Sequence, residues 1–209
     1  SPTRMRQPFY PYFLASLRAV QGDSYDILRF SQIVVILAGI LVAYYLARSL
    51  WGARAALAGA LLLALHPLVL FNAVQVTNEP HFILFLLLGL LCLVVVTRRP
   101  SVLMTLLAGG LLGMAALTRP VAFPLPFVIG ALWVLPLHLL PLPWPRRLLH
   151  AGLLVGATLL VMLPWAVRNY QDMGVFTFLS SERGAGLWSA AQPGWRWGYS
   201  DPHVDPANI

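Results

Sequence analysis

Long uncharged stretches, interrupted by single charges or short clusters of charge, dominate the hydrophobic pattern of this chain. Six successive stretches between Arg29 and Arg168 hold 18 to 26 uncharged residues each. A helix needs about 20 apolar residues to cross the hydrocarbon core of a bilayer. The pattern therefore predicts an all-α fold, a polytopic transmembrane helical bundle of six spans. The predicted spans are 27–47, 54–73, 80–97, 102–117, 121–142 and 148–167.

Polar and aromatic segments flank the predicted spans and divide the chain into three parts. Residues 1–24 carry prolines and aromatic rings typical of a segment at the outer membrane interface. Residues 25–167 form the six-span transmembrane domain, and residues 168–209 begin a polar segment on the outer face. Because the chain opens on Ser1 and closes in a polar run, we expect a fragment of a longer protein, truncated within that last segment.

Composition and charge narrow the class of protein. Hydrophobic residues make up 59% of the chain and charged residues 10%, whereas a soluble domain carries about 25% charged residues. A soluble fold would need six buried helices with almost no solvated face. The net charge of +7 comes from arginines spread over both predicted membrane faces, which argues against a nucleic-acid partner. Cys92 is the single cysteine and lies inside a span, which excludes a disulfide framework.

Closely spaced arginines occur at every second boundary between spans. They are Arg48 and Arg54, Arg98 and Arg99, and Arg146 and Arg147. The positive-inside rule assigns these residues to the cytoplasm. Glu79, Arg119 and Arg168 then share the opposite, extracytoplasmic face with both chain ends.

A polar island, Gln75 to His81, separates the second and third predicted spans. Its Glu79 is the only acidic residue between the first and the last span. On a continuous helix, Glu79 would share one face with Asn72 and Gln75. The carboxylate could accept a proton from a hydroxyl, bind a metal ion together with His81, or orient a sugar.

The candidate charged residues also have ordinary structural explanations. Asn78 or Thr77 could cap a helix whose first turn contains Glu79, a role compatible with chemistry. The planar guanidinium groups of Arg119 and Arg168 match phosphate oxygens and would suit an anionic lipid head group. The alternative for both arginines is simple snorkelling to phospholipid phosphates.

Other polar and small residues inside the spans favour packing roles. His66 and His138 are each more typical of a hydrogen-bonded packing residue than of a ligand. Gly109, Gly110 and Gly113 have the spacing that lets membrane helices approach closely.

Four segments, in order along the chain, carry motifs that are weak singly and more specific together. They are Arg6-Gln7-Pro8-Phe9-Tyr10-Pro11 with Leu14-Ala15, Thr77-Asn78-Glu79-Pro80, Gly110 through Thr118-Arg119-Pro120, and Pro164-Trp165 through Arg168-Asn169 to Phe176. Together they resemble motifs of the GT-C glycosyltransferases. These polytopic enzymes use polyprenyl-phosphate sugars and include protein mannosyltransferase-like and aminoarabinose transferase-like groups.

The resemblance implies a partial GT-C-like module in an integral membrane protein of the bacterial inner membrane, with its active face extracytoplasmic. The implied activity is transfer of a sugar from a polyprenyl-phosphate donor to a lipid, glycan or protein acceptor. The cofactor stays open, with a divalent metal ion as one candidate.

The resemblance also implies roles for individual residues. Glu79 would support catalysis without being the main base, because the family's essential aspartate belongs to a loop upstream of Arg6. The implied ligands of the donor phosphate are Arg119, Arg168, Arg6 and Arg183. The residues implied to line the substrate are Tyr10, Asn78, His81 and Asn169.

Two other classes of protein stay open from the residues alone. A secondary transporter would explain broken helices, such as one interrupted by the prolines of the fifth span. A non-catalytic membrane subunit would use the polar tail as its interaction surface. Binding of a polyprenyl-phosphate analogue separates the transferase from both.

Overall fold

The computed structural model describes residues 7–22, 24–135 and 140–179, and its secondary structure there is helical. The all-α prediction is confirmed, with no strand among these residues. The helices are α1 Phe9–Gln21, α2 Tyr25–Trp51, α3 Ala53–Ala64, α4 Pro67–Val74, α5 Glu79–Arg98, α6 Val102–Thr118, α7 Leu125–Val134 and α8 Trp144–Met173. A 3₁₀ turn, Pro120–Ala122, connects α6 to α7.

The helices pack side by side in the order α2, α5, α6 and α8, with α3 against α2 and α7 against α8. Hydrogen bonds at both ends show that α2 runs parallel to α5. Gln32, near the start of α2, donates to the carbonyl of Thr77, which lies beside the start of α5. Arg98, at the end of α5, donates to the carbonyl of Ser49 near the end of α2.

Side-chain contacts fix the direction of α6 in the same way. Glu79 at the start of α5 pairs with Arg119 after the end of α6, so these helices are antiparallel. Thr105 and His150, near the starts of α6 and α8, are 2.7 Å apart, so these helices are parallel. One end of the bundle therefore collects the starts of α2 and α5 and the ends of α6 and α8. We call it the Glu79 rim, and the opposite end the Arg98 rim.

Three described helices are long and apolar enough to cross a membrane, namely α2, α5 and α8. The bent pair α3 and α4 makes a fourth if it counts as one span, while α6 and residues 120–134 are shorter apolar helices. Large apolar side chains such as Leu41 on α2 and Leu61 on α3 remain 54% exposed, as expected of faces that meet lipid rather than water. The helical bundle is confirmed, whereas the count of six spans stays a prediction.

The second predicted span is not one continuous helix. It bends by 57° between α3 and α4. Pro67 disfavours the helical conformation at the preceding residue, and His66 is accordingly extended, with ψ 126°. The His66 Nδ1 atom accepts a hydrogen bond from the Leu68 amide at 3.2 Å and caps α4. His66 is thus a helix cap at a break.

The fifth and sixth predicted spans also differ in length from the helices observed. In the fifth predicted span, the described helical residues form the 3₁₀ turn and α7. Pro124 and Pro126 lie at the start of α7, where proline is tolerated. In the sixth, α8 begins at Trp144, before the predicted start at 148, and continues to Met173. Residues 168–173 therefore continue α8 beyond the predicted end of the span, and the predicted outer-face position of residues 168–209 stays a prediction.

Close contact between α6 and α8 confirms the packing role predicted for two of the glycines. A Cβ atom added at Gly109 would collide with the carbonyl oxygen of Leu154, and one at Gly113 would lie 3.0 Å from the Thr158 carbonyl. Thr158 Oγ1 donates to the Gly109 carbonyl at 2.9 Å across the same seam. At Gly110 the nearest neighbour would be 3.8 Å away, an ordinary contact.

Candidate functional site

An ion pair between Glu79 and Arg119 forms the centre of the Glu79 rim. Arg119 Nη1 lies 3.3 Å from Glu79 Oε1, and the two side chains are 45% and 34% exposed. Asn78 Nδ2 donates to the Thr118 carbonyl at 3.2 Å, which makes a second link between the same two segments. The Arg119 guanidinium also lies 5.8 Å from the centre of the Phe82 ring. A carboxylate and a guanidinium that are forty residues apart in sequence are thus held at one partly exposed position.

The polar island is not helical, as the gap between the predicted spans 54–73 and 80–97 indicated. Because α4 ends at Val74 and α5 begins at Glu79, Asn72, Gln75 and Glu79 do not lie on one face of a continuous helix. Glu79 does occupy the first turn of α5, as the capping alternative predicted. The cap itself is absent, because the Asn78 side chain bonds to Thr118 and makes no capping hydrogen bond.

The side chain of Gln32 binds the backbone of the polar island. Gln32 is the main residue near the Glu79–Arg119 pair that the sequence alone did not identify. Its Nε2 atom donates to the carbonyls of Thr77 at 2.6 Å and Gln75 at 3.2 Å, and it lies 3.4 Å from the Tyr10 hydroxyl. The side chain is 1% exposed. An amide inside an otherwise apolar span was the signal that could have identified it, because a buried amide needs hydrogen-bond partners.

His81 lies under α1 in a cluster of aromatic rings. The ring centres of Phe13, Tyr10 and Phe9 are 4.3, 5.6 and 5.7 Å from that of the imidazole. The side chain is buried, and neither ring nitrogen has a hydrogen-bond partner within residues 7–22, 24–135 and 140–179. His81 therefore anchors α1 to the start of α5, and no contact of its imidazole with the Glu79 carboxylate supports a shared metal ion.

Tyr10 belongs to this aromatic cluster and is also within range of the negative charge of Glu79. Burial and, secondly, the negative charge of Glu79 raise the pKa of the Tyr10 phenol. The hydroxyl therefore keeps its proton and can donate a hydrogen bond near the carboxylate. The predicted role of Tyr10 in lining the substrate stays a prediction.

Arg168 lies near the end of α8, at the same end of the bundle as the Glu79–Arg119 pair. Its guanidinium is 4.7 Å from the centre of the Trp165 ring and 3.2 Å from Asp172 Oδ2. Arg168, Trp165 and Leu117 line a largely apolar cleft of about 340 Å³, whose other wall is α1. Because Leu117 is two residues from Arg119, the ends of α6 and α8 face a common cleft.

Three predicted site residues remain, namely Asn169, Arg6 and Arg183. Asn169 is buried and donates to the Thr177 carbonyl at 2.9 Å, so its observed contact is structural. Arg6, Arg183 and His138 lie outside the described residues. Among the described residues, no group of three or more His, Cys, Asp or Glu side chains could hold a metal ion.

Comparison of the sequence with known proteins places the chain in a family. The family model of the dolichyl-phosphate-mannose-protein mannosyltransferases matches residues 5–167. The chain belongs to this family. The resemblance to GT-C glycosyltransferases is thereby confirmed over the part of the chain that carries Tyr10, Gln32, Glu79 and Arg119.

Curated relatives outside the mannosyltransferases extend the comparison. The chain is 33% identical to the undecaprenyl phosphate-α-4-amino-4-deoxy-L-arabinose arabinosyl transferases of Pseudomonas aeruginosa strains UCBPP-PA14 and LESB58, over 167 residues. The corresponding enzyme of Pseudomonas paraeruginosa strain DSM 24068 / PA7 is 32% identical. These alignments cover 77% of this chain but 30% of each relative. No solved structure matches the chain.

Proposed function

We propose that this mannosyltransferase-family chain belongs to a membrane glycosyltransferase that takes its sugar from a polyprenyl-phosphate donor. The observation that carries the proposal is the Glu79–Arg119 pair, held at one rim of an apolar helical bundle. The Pseudomonas aeruginosa arabinosyl transferases named above are 33% identical to this chain over 167 residues, and their names specify undecaprenyl phosphate-4-amino-4-deoxy-L-arabinose. Undecaprenyl phosphate-4-amino-4-deoxy-L-arabinose is therefore the first donor to test.

The charges at the Glu79 rim suit the bond that such an enzyme breaks. An acceptor oxygen or nitrogen forms a bond to the anomeric carbon, and the bond from that carbon to the phosphate oxygen breaks. The phosphate leaves with the electron pair and gains negative charge, which Arg119 and Arg168 stabilise as guanidinium groups. The acceptor proton passes to a carboxylate, which the resemblance gives as an aspartate and not as Glu79.

Glu79 has a supporting role in this scheme. Its carboxylate orients the Arg119 guanidinium at 3.3 Å and leaves the other guanidinium nitrogens available to phosphate oxygens. Glu79 also lines a small, largely apolar cleft of about 60 Å³ between α2, α3, α4 and α5. The Glu79 carboxylate would orient the reacting group of a lipid, glycan or protein acceptor at the rim beside this cleft.

Photocrosslinking tests the donor class in the full-length protein, however far it extends beyond these residues. A benzophenone-bearing polyprenyl phosphate should label peptides from α1, α6 or α8 saturably, because the cleft beside Arg168 offers apolar walls and a guanidinium. Excess unlabelled polyprenyl phosphate should compete, whereas excess phosphatidylglycerol should not. Labelling that does not saturate would overturn the proposal.

The proposed extracytoplasmic position of the Glu79 rim has its own test. Alkaline phosphatase, which folds to an active enzyme only outside the cytoplasm, is fused after Asn78 or after Pro100. Activity is expected at Asn78, on the Glu79 rim, and not at Pro100, on the Arg98 rim, because paired arginines favour the cytoplasm. The reverse pattern would place the ion pair inside the cell.

A secondary transporter is the second candidate, favoured by the 57° break between α3 and α4. Transporters use discontinuous helices of this kind at their substrate sites. Their ionisable groups lie near the middle of the membrane, whereas Glu79 and Arg119 lie at helix ends. Solute uptake by proteoliposomes, in the absence of donor turnover, would favour the transporter.

A further inference from the structure

We propose that Gln32 is a positioning residue, which sets the geometry of the Glu79–Arg119 pair by holding the polar island. The effect of Gln32 on catalysis rests on the proposed function, whereas its positioning role rests on the structure alone. Gln32 is the only polar residue among the three buried residues of α2, which are Leu28, Gln32 and Gly39.

The backbone of the island needs the hydrogen bonds that Gln32 supplies. Between the end of α4 and the start of α5, the carbonyls of Gln75 and Thr77 point at an amide of another helix. Backbone outside a helix needs other hydrogen-bond partners for its polar groups, from protein or from water. The Gln32 NH₂ group has two hydrogens, and the two carbonyls are closer to it than the Tyr10 hydroxyl at 3.4 Å.

The amide of Gln32 carries a cost as well as a benefit. Among the described residues, no hydrogen-bond partner meets the buried Gln32 Oε1 atom. An apolar side chain of similar size would avoid that cost but would leave the Gln75 and Thr77 carbonyls without this donor. The amide at this position therefore fits a role in holding the backbone of the island.

The hydrogen bonds of Gln32 act on the residues directly before the ion pair. Thr77, its closest partner at 2.6 Å, is followed by Asn78, which bonds to Thr118, and by Glu79, which pairs with Arg119. A change in the Thr77 carbonyl position is therefore passed to both links between α5 and α6. Gln32 also contacts Tyr10, so the same side chain connects α1 to the island.

A double-mutant cycle tests the route through Glu79. Gln32→Leu should slow sugar transfer about tenfold, the order expected for one or two lost hydrogen bonds. In a Glu79→Gln background the same change should have almost no further effect, because the pair that Gln32 positions is already broken. Ser31→Ala, which removes one hydrogen bond within α2, should leave the rate unchanged. Independent, multiplicative effects of the two substitutions would overturn the assignment.

Thiol labelling tests the positioning without any assay of activity. In a Cys92→Ala background, Val76→Cys places one thiol between the two carbonyls that Gln32 holds. Adding Gln32→Leu should raise its labelling rate by an impermeant maleimide several-fold, because the island loses two hydrogen bonds. An unchanged rate would show that Gln32 does not hold the island. If no variant transfers sugar but labelling responds, only the proposed function fails.

Discussion

Arg119→Ala in the full-length protein is expected to lower the rate of sugar transfer by about 10²–10³-fold, the usual cost of losing one oriented donor to a developing anion. The leaving phosphate gains charge as the glycosidic bond breaks, and the Glu79 carboxylate holds the guanidinium at 3.3 Å before the donor binds. Arg119→Lys should fall between wild type and alanine, because it keeps the charge but loses the planar fork. Release of polyprenyl phosphate is measured in membranes, which supply endogenous acceptors.

Arg98→Ala is the matched control for this prediction. Arg98 ends a neighbouring helix and also bonds across the bundle, to the Ser49 carbonyl, but at the opposite rim. Both variants should stay folded, because exposed ion pairs and single surface contacts contribute about 1 kcal/mol or less. If Arg119→Ala and Arg98→Ala transferred sugar at equal rates, Arg119 would not bind the donor phosphate.

The position of the Glu79 rim could be predicted from the sequence because charges mark helix ends. Glu79 begins α5 and Arg119 follows α6, and two sequential antiparallel helices bring such positions together. The same alternation places the end of α8, and with it Arg168, at that rim. Predicting which end of the bundle carries these three residues required only hydropathy and connectivity, and no knowledge of any single contact.

The structure of the island could not be predicted in the same way. Its backbone is held by Gln32, which lies 43 and 45 residues before the two carbonyls that it binds. Local periodicity carries no information about such a partner. The predicted spans 54–73 and 80–97 end and begin close to the observed end of α4 and start of α5, but they do not show what holds the residues between them. Pro67 explains the break at His66, but the apolar residues on both sides made the segment look like one continuous span.

Gly109→Leu is expected to destabilise the helical bundle by about 3 kcal/mol or more, at the upper end of the cost of overpacking. Even the first added carbon would collide with the Leu154 carbonyl and lie 2.8 Å from the Ala157 Cβ atom. Since one of these neighbours is helical backbone, a rotamer change cannot relieve the clash. Separation of α6 from α8 would also break the hydrogen bond from Thr158 to the Gly109 carbonyl.

Gly110→Leu separates this packing effect from the general effect of a larger side chain in α6. Its added Cβ atom would meet nothing closer than Val161 at 3.8 Å, and leucine favours helix over glycine by nearly 1 kcal/mol. We therefore expect Gly110→Leu to unfold at or above the wild-type temperature in detergent, and Gly109→Leu well below it or to fail to accumulate. Equal unfolding temperatures for the two variants would mean that α6 and α8 do not meet at Gly109. The contact at Gly109 would then not be what holds α8 beside α6, the two helices whose ends lie at the Glu79 rim.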